Sequence, residues 1–263
     1  MSSALIGYSG YVGSTLLRQA RFDELYRSTN IADSAGHEFD LVVCAAAPAQ
    51  KWIANREPEV DRQRIDSLIE ALRRIRCGTF ILISTVDVFS RPNGVDEATS
   101  VDESGLHAYG MNRLRLERYV SGAFARHLIV RLPGLVGPGL RKNVVFDLHN
   151  ENRLEAIDSR AVFQFYPMVN LWYDIERALE AGLSLLHLTA QPISVADVAS
   201  LGFGRHFANV LDGPPPHYDM RTRHAALFGG QSNYQYTTRE TILAIRAYAQ
   251  SEPVAGPAKP EPA

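Results

Sequence analysis

The feature that most constrains this chain is Gly7-Tyr8-Ser9-Gly10-Tyr11-Val12-Gly13, set between the apolar Ala4-Leu5-Ile6 and a helical pattern over residues 11–20. A strand that passes straight into a helix needs one glycine for the tight bend and another so that helix and strand can pack closely. A glycine between these lets backbone N–H groups approach a diphosphate, and the helix N-terminus favours the anion without any basic side chain. Glycine spacing alone is a weak signal, but the strand-turn-helix setting strengthens it. Gly7, Tyr8, Ser9, Gly10, Tyr11, Val12 and Gly13 are therefore candidate dinucleotide contacts.

The rest of the first half alternates apolar runs with helical spacing, the pattern of a parallel sheet covered by helices. Residues 39–44 read as a strand, and Ile65, Leu68, Ile69, Leu72 and Ile75 recur at helical spacing behind Pro58. Residues 79–83, apolar after Thr79, read as a strand buried on both faces. A helix over 109–123 and a strand over 127–132 follow. Beyond Pro138 the pattern loosens to a helix over 174–181, a strand over 185–188 and a helix start at Ser194 with Asp197. Pro214, Pro215 and Pro216 mark a loop, and Thr237 with Glu240 forms a capping box before a helix that aligns Ile242, Ile245 and Tyr248. The expected fold is α/β, a Rossmann-type doubly wound parallel sheet over residues 1–140. A smaller substrate lobe over 141–250 interleaves with the last sheet elements, and a Pro- and Ala-rich disordered tail occupies 251–263.

Composition narrows the function classes. The 263 residues carry a net charge of -2, with no basic surplus for nucleic acid or an anionic membrane. The longest apolar stretches, such as 41–48, are too short to span a bilayer. Met1-Ser2-Ser3 leads into the first strand with no basic run, so no secretory signal is expected and the chain reads as cytoplasmic. Cys44 and Cys77 read as buried thiols, and the eight scattered histidines show no metal-ligand spacing.

Further motifs occur in order: Ala45-Ala46-Ala47 after a strand, then Ser84-Thr85-Val86-Asp87-Val88-Phe89. Tyr109-Gly110-x-x-Arg113-x-x-x-Glu117 and Arg131-Leu132-Pro133-x-x-x-Gly137-Pro138-Gly139 follow. With the Gly-x-x-Gly-x-x-Gly turn, this set resembles the extended short-chain dehydrogenase/reductase superfamily, the epimerase/dehydratase family. The resemblance covers residues 1 to about 140. It implies that Thr85 and Tyr109 flank the reacting carbonyl or alcohol. It places Ala45, Ala46 and Ala47 near the adenine ribose, Pro133 over the nicotinamide, and residue 113 at both Tyr109 and the nicotinamide ribose. Tyrosine, with an ordinary pKa near 10, works as a base only where positive charge favours the phenolate.

The family supplies that charge from a lysine, whereas this chain has Arg113, which keeps the charge but cannot relay a proton. Three readings follow: a working variant, a weakened enzyme, or a site without redox chemistry. The presence of Thr85, Tyr109 and the glycines favours the first. Sugar-nucleotide dehydratases of the family carry Asp-Glu directly after the Thr. Val86 and Asp87 here disfavour dehydration, and Asp87 is either a base or a loop-holding acceptor. Lys51 reads as a surface lysine, or as a replacement ammonium or anion ligand, and Arg141 and Lys142 as possible phosphate ligands. Arg27 and Ser28 end the expected second strand, where an arginine would pair with a 2′-phosphate and point to NADP. Asp33 would point to NAD if the strand ran later.

The implied activity is an NAD(P)-dependent oxidoreductase or epimerase acting on a hydroxyl or carbonyl group of a small molecule, with a nucleotide-linked sugar as the substrate class. A non-catalytic dinucleotide-binding module is the alternative, and a homodimer is expected by analogy.

Overall fold

The first apolar run forms β1 (Ser3–Ile6), and Gly10 opens α1 (Tyr11–Gln19). There follow β2 (Glu24–Tyr26), β3 (Glu38–Cys44), α2 (Lys51–Arg56), α3 (Pro58–Leu72) and β4 (Arg76–Thr85). Then come α4 (Ala108–Ala123), β5 (His127–Leu132), α5 (Leu171–Glu180) and β6 (Leu185–His187). The computed structural model describes residues 2–254. The described chain divides into two compact units, and these elements belong to the first: Met1–Pro92, Asp96–Leu132 and Asn170–Leu188.

Its six strands lie in the order β2-β1-β3-β4-β5-β6, every pair parallel. Leu5, Val42, Val43, Phe80, Ile81, Leu128 and Val130 are fully buried, which accounts for the apolar strands: helices cover both faces. From β1 the chain adds β2 on one side and then crosses to β3 on the other. A 3-10 turn (Ile31–Ser34) is the only regular element between β2 and β3, and among the described residues no further strand lies beyond β2. The order thus reverses at β1, and in such sheets ligands bind at the carboxyl ends of the strands beside the reversal. Helix α5 begins earlier than its periodicity predicts. Asn170 gives no side-chain cap, and the Trp172 N–H is instead accepted by Gln19 Oε1 at 2.9 Å.

The second unit comprises Asn93–Val95, Pro133–Val169 and Thr189–Ala263. Gly134–Val136 pairs with Phe165–Pro167, Val162–Phe163 with Ile193–Ser194, and Asn93–Val95 with Asp219–Met220. Phe165 and Tyr166 are core residues, and between them and Phe163 the buried Gln164 amide donates to the carbonyls of Ala190 and Met220 at 2.7 Å each. Ser194 caps only a single α-turn, Val195–Asp197, which continues as a π-helix over Val198–Gly202. The capping box of Thr237 and Glu240 opens the last helix, Thr238–Ser251, which buries Ile242, Ile245 and Tyr248. Of the expected tail, residues 255–263 lie outside the described residues. No helix among the described residues is long and apolar enough to cross a membrane.

Candidate active site

The glycine turn lies at the carboxyl ends of β1, β2 and β3. The Gly7 N–H donates to the Tyr26 carbonyl at 2.7 Å and the Ala45 N–H to the Ile6 carbonyl at 2.8 Å. Each glycine has a different reason to be glycine. Gly7 has φ +90°, and a Cβ there would lie 2.6 Å from the Ala45 carbonyl group. A Cβ on Gly13 would lie 2.0 Å from the Gly7 oxygen, so the helix can approach the turn only without one. At Gly10 a Cβ would meet just the Gly7 oxygen at 3.5 Å and otherwise open space. That space, at the N-terminus of α1, is a cradle a side chain would fill, and it fits a diphosphate. A nicotinamide dinucleotide therefore suits these residues. Ala45, Ala46 and Ala47 continue from β3 directly beside Gly7.

The strand end places Arg27 immediately after β2, and Asp33 lies in the following 3-10 turn. Arg27 and Ser28 are exposed, with the Arg27 Nε donating to Thr29 Oγ1 at 3.0 Å. Pro133 opens the second unit, which also contains Arg141 and Lys142.

The second part of the site gathers at the end of β4 and the start of α4. Gly110 makes the approach possible: a Cβ there would sit 2.1 Å from the Asp87 carbonyl oxygen. The Tyr109 N–H donates to Asn55 Oδ1 at 3.0 Å, which ties α4 to α2. The Tyr109 phenol is buried, with the Thr85 hydroxyl and the Arg113 guanidinium among the groups that bear on it. Burial raises its pKa above the ordinary tyrosine value, outweighing the opposing Arg113 charge, and Asp87 adds to the rise. Tyr109 therefore rests as a neutral phenol.

Arg113 is committed elsewhere. Its Nη1 and Nη2 donate to Asp61 Oδ2 and Oδ1 at 2.9 and 3.0 Å, and Nη2 also donates to the Pro48 carbonyl. The guanidinium lies over the Tyr109 ring, 4.3 Å from its centroid, with Nε buried and lacking a hydrogen-bond partner. Asp61 also accepts from Asn112 Nδ2 at 2.8 Å. Arg113 thus clamps α4 to α3 and to the segment after β3, and its charge is shared with a carboxylate before it reaches Tyr109. Asp61 had a signal in the sequence: it extends the Ile65, Leu68 and Leu72 face of α3 by one turn, and a carboxylate on a core-facing stripe requires a buried partner.

Lys51 Nζ donates to Asp87 Oδ1 at 2.7 Å. The Asp87 N–H donates to Thr85 Oγ1 at 3.1 Å, and Thr85 Oγ1 stands 3.5 Å from Asp87 Oδ2. Lys51, Asp87 and Thr85 therefore form a connected set beside Tyr109. Behind it, Ser84 Oγ donates to Glu117, which also receives the Arg131 guanidinium at 2.6 and 3.0 Å in a buried pair.

His107 was hidden among the scattered histidines. It caps α4, with Nδ1 accepting from the Gly110 N–H at 3.0 Å, which requires the neutral ring protonated on Nε2. Its pKa is lowered from 6.5 by burial first and then by the Lys51 charge, with Asp87 opposing. The unfolded chain takes up this proton more readily than the folded one. The stabilisation is therefore complete above pH 6.5 and is lost as pH falls through the lowered value. The cap is worth ~1 kcal/mol. His107→Asn, whose amide oxygen does not titrate, should flatten the corresponding part of a urea-midpoint profile below pH 6.5.

No protein-family model matches the sequence, and no curated protein matches it. Solved structures do match in fold. A dTDP-4-dehydrorhamnose reductase from Clostridium acetobutylicum ATCC 824 superposes with a TM-score of 0.71 at 18% identity, covering 95% of this chain and 99% of that one. The chain has the fold of these enzymes. RMD from Pseudomonas aeruginosa, solved with NADPH, gives a TM-score of 0.71 at 20% identity over 96% of this chain and 100% of that one. A UDP-glucuronic acid 4-epimerase from Bacillus cereus gives 0.71 at 17% identity over 95% and 98%, in a complex with UDP-4-deoxy-4-fluoro-glucuronic acid and NAD.

Proposed function

We propose that the chain is an NAD(P)-dependent reductase or epimerase of the extended short-chain dehydrogenase/reductase type, acting on a carbonyl or hydroxyl group of a nucleotide-linked sugar. The observation that carries this reading is the Thr85–Tyr109 pair at the carboxyl end of the sheet whose switch point holds the glycine cradle. The reductases and epimerases that share the fold support the substrate class. Gly7 through Gly13 would hold the diphosphate, Ala45, Ala46 and Ala47 would border the adenine ribose, and Pro133 would lie at the nicotinamide. The bound nicotinamide supplies hydride chemistry.

The chain's own residues supply orientation and the proton. The Thr85 hydroxyl donates to the substrate oxygen and fixes it against Tyr109. Tyr109, kept neutral by burial, gives its hydroxyl proton to that oxygen as negative charge develops there. A neutral phenol is the form that protonates a substrate oxygen in the reductive direction. Arg113 acts on Tyr109 through its charge, and its Nε, buried and without a hydrogen-bond partner, would donate to a ribose hydroxyl.

Arg27 supports NADPH as the preferred form. Arg27→Ala should weaken NADPH binding roughly ten- to hundredfold, the worth of a charge-assisted hydrogen bond, and leave NADH binding unchanged. Equal losses for the two forms would remove Arg27 from the 2′-phosphate. The activity is tested by NADPH oxidation at a panel of 4-keto dTDP- and UDP-sugars. Tyr109→Phe should lower turnover by about 10²–10⁴-fold without weakening cofactor binding. Cofactor binding with no turnover across the panel would reject this substrate class.

A further inference from the structure

We propose that Lys51, acting through Asp87 and Thr85, returns protons from solvent to Tyr109. This rests on the assignment of Tyr109 as the acid of the proposed reduction. Each turnover leaves a phenolate that must be reprotonated inside a buried site. Arg113 cannot do this, because a guanidinium does not give up its proton in a protein and both Nη atoms are bound to Asp61. The other cation of the cluster can. Lys51 is 38% exposed at its side chain and ion-paired at 2.7 Å to an Asp87 carboxylate that is 16% exposed, so the pair connects solvent to the interior.

The inner half of the route runs from Asp87 through Thr85. The Asp87 backbone N–H holds Thr85 Oγ1 at 3.1 Å, facing the carboxylate. Asp87 Oδ2 lies 3.5 Å from that oxygen, long for a resting hydrogen bond and within reach of a small rotation of the carboxylate. The Thr85 hydroxyl is in turn one of the groups that bear on the buried Tyr109 phenol, and the relay assigns it the last transfer. His107 is not on the route through Nδ1, which is occupied by the Gly110 N–H.

The protons balance. When the Tyr109 O–H bond breaks and the proton passes to the substrate oxygen, the phenolate takes the Thr85 hydroxyl proton. Thr85 takes one from Asp87, and Asp87 takes one from the Lys51 ammonium. The Lys51 amine is recharged by water. One proton enters from solvent and one leaves on the product.

The test needs no substrate. The exchange rate of the Tyr109 hydroxyl with solvent is read by NMR from the deuterium isotope shift at Cζ of labelled tyrosine, assigned with Tyr109→Phe. Lys51→Met, Lys51→Arg and Asp87→Asn should each slow exchange at least tenfold. Lys51→Arg is the discriminating variant, since it keeps the charge and the ion pair but cannot donate a proton. Methylamine should restore exchange in Lys51→Met. Wild-type exchange in Lys51→Arg, or in both Lys51→Met and Asp87→Asn, would overturn the relay. Slowed exchange in a protein that reduces no nucleotide-sugar would leave the relay standing and the substrate assignment rejected.

Discussion

Asp61→Asn is expected to lower the free energy of unfolding by about 3–5 kcal/mol. The Arg113 and Asp61 side chains are 2% and 4% exposed, and the pair is bidentate. Replacing one carboxylate oxygen by an NH₂ group turns an acceptor into a donor facing the guanidinium, and leaves the Arg113 charge buried without its counterion. The Asn112 amide would lose its acceptor as well if the new side chain settles with NH₂ towards it. The exposed pair Arg62–Glu59 on the same helix supplies the contrast, because surface pairs contribute only about 0–1 kcal/mol. Urea unfolding of Asp61→Asn and Glu59→Gln should therefore separate by several kcal/mol. Equal, small effects would mean that water reaches Arg113.

The second large effect concerns the glycine turn, where neighbouring glycines should fail in different ways. Gly13→Ala places a methyl 2.0 Å from the Gly7 carbonyl oxygen, a clash of backbone against backbone that no rotamer relieves. It should cost at least ~3 kcal/mol, the upper end of overpacking, and displace α1. Gly10→Ala meets only an oxygen at 3.5 Å and should leave stability unchanged. Its methyl instead occupies the cradle, holding phosphate oxygens off the first-turn N–H groups. Each amide left unpaired costs about 1–3 kcal/mol, so dinucleotide affinity should fall by roughly two orders of magnitude. Binding titrations alongside thermal melts of the two variants distinguish them. Unchanged affinity in Gly10→Ala would place the ligand elsewhere.

Much of the fold was legible because local rules and the final packing agree. Ala4-Leu5-Ile6, the run at 80–83 and the stretch at 128–130 are apolar, as a strand between two helical layers is. Thr237 and Glu240 announce a helix from their own chemistry. The strand and helix boundaries that slipped did so through distant contacts, as at Trp172, whose N–H is satisfied by Gln19.

The site divides in the same way. The glycines, Thr85 and Tyr109 stand in local motifs and could be named from them. The partners of Arg113 and Lys51 could not, since Asp61 and Asp87 come from other elements and only the folded sheet brings them near. The motif singled out Arg113, and its guanidinium clamps α4 to α3 through Asp61. His107 carried no sequence signal beyond its place before α4, where an imidazole is an uncommon cap.

The most direct measurement is a titration of the purified protein with NADPH and NADH, following tryptophan fluorescence. Trp52, 59% exposed on α2 beside Lys51, and Trp172 are the reporters. Saturable quenching by NADPH, weaker quenching by NADH and loss of the signal in Gly10→Ala are the predicted results. A folded protein that binds neither dinucleotide would contradict the assignment of the cradle, and with it the proposed chemistry at Thr85 and Tyr109.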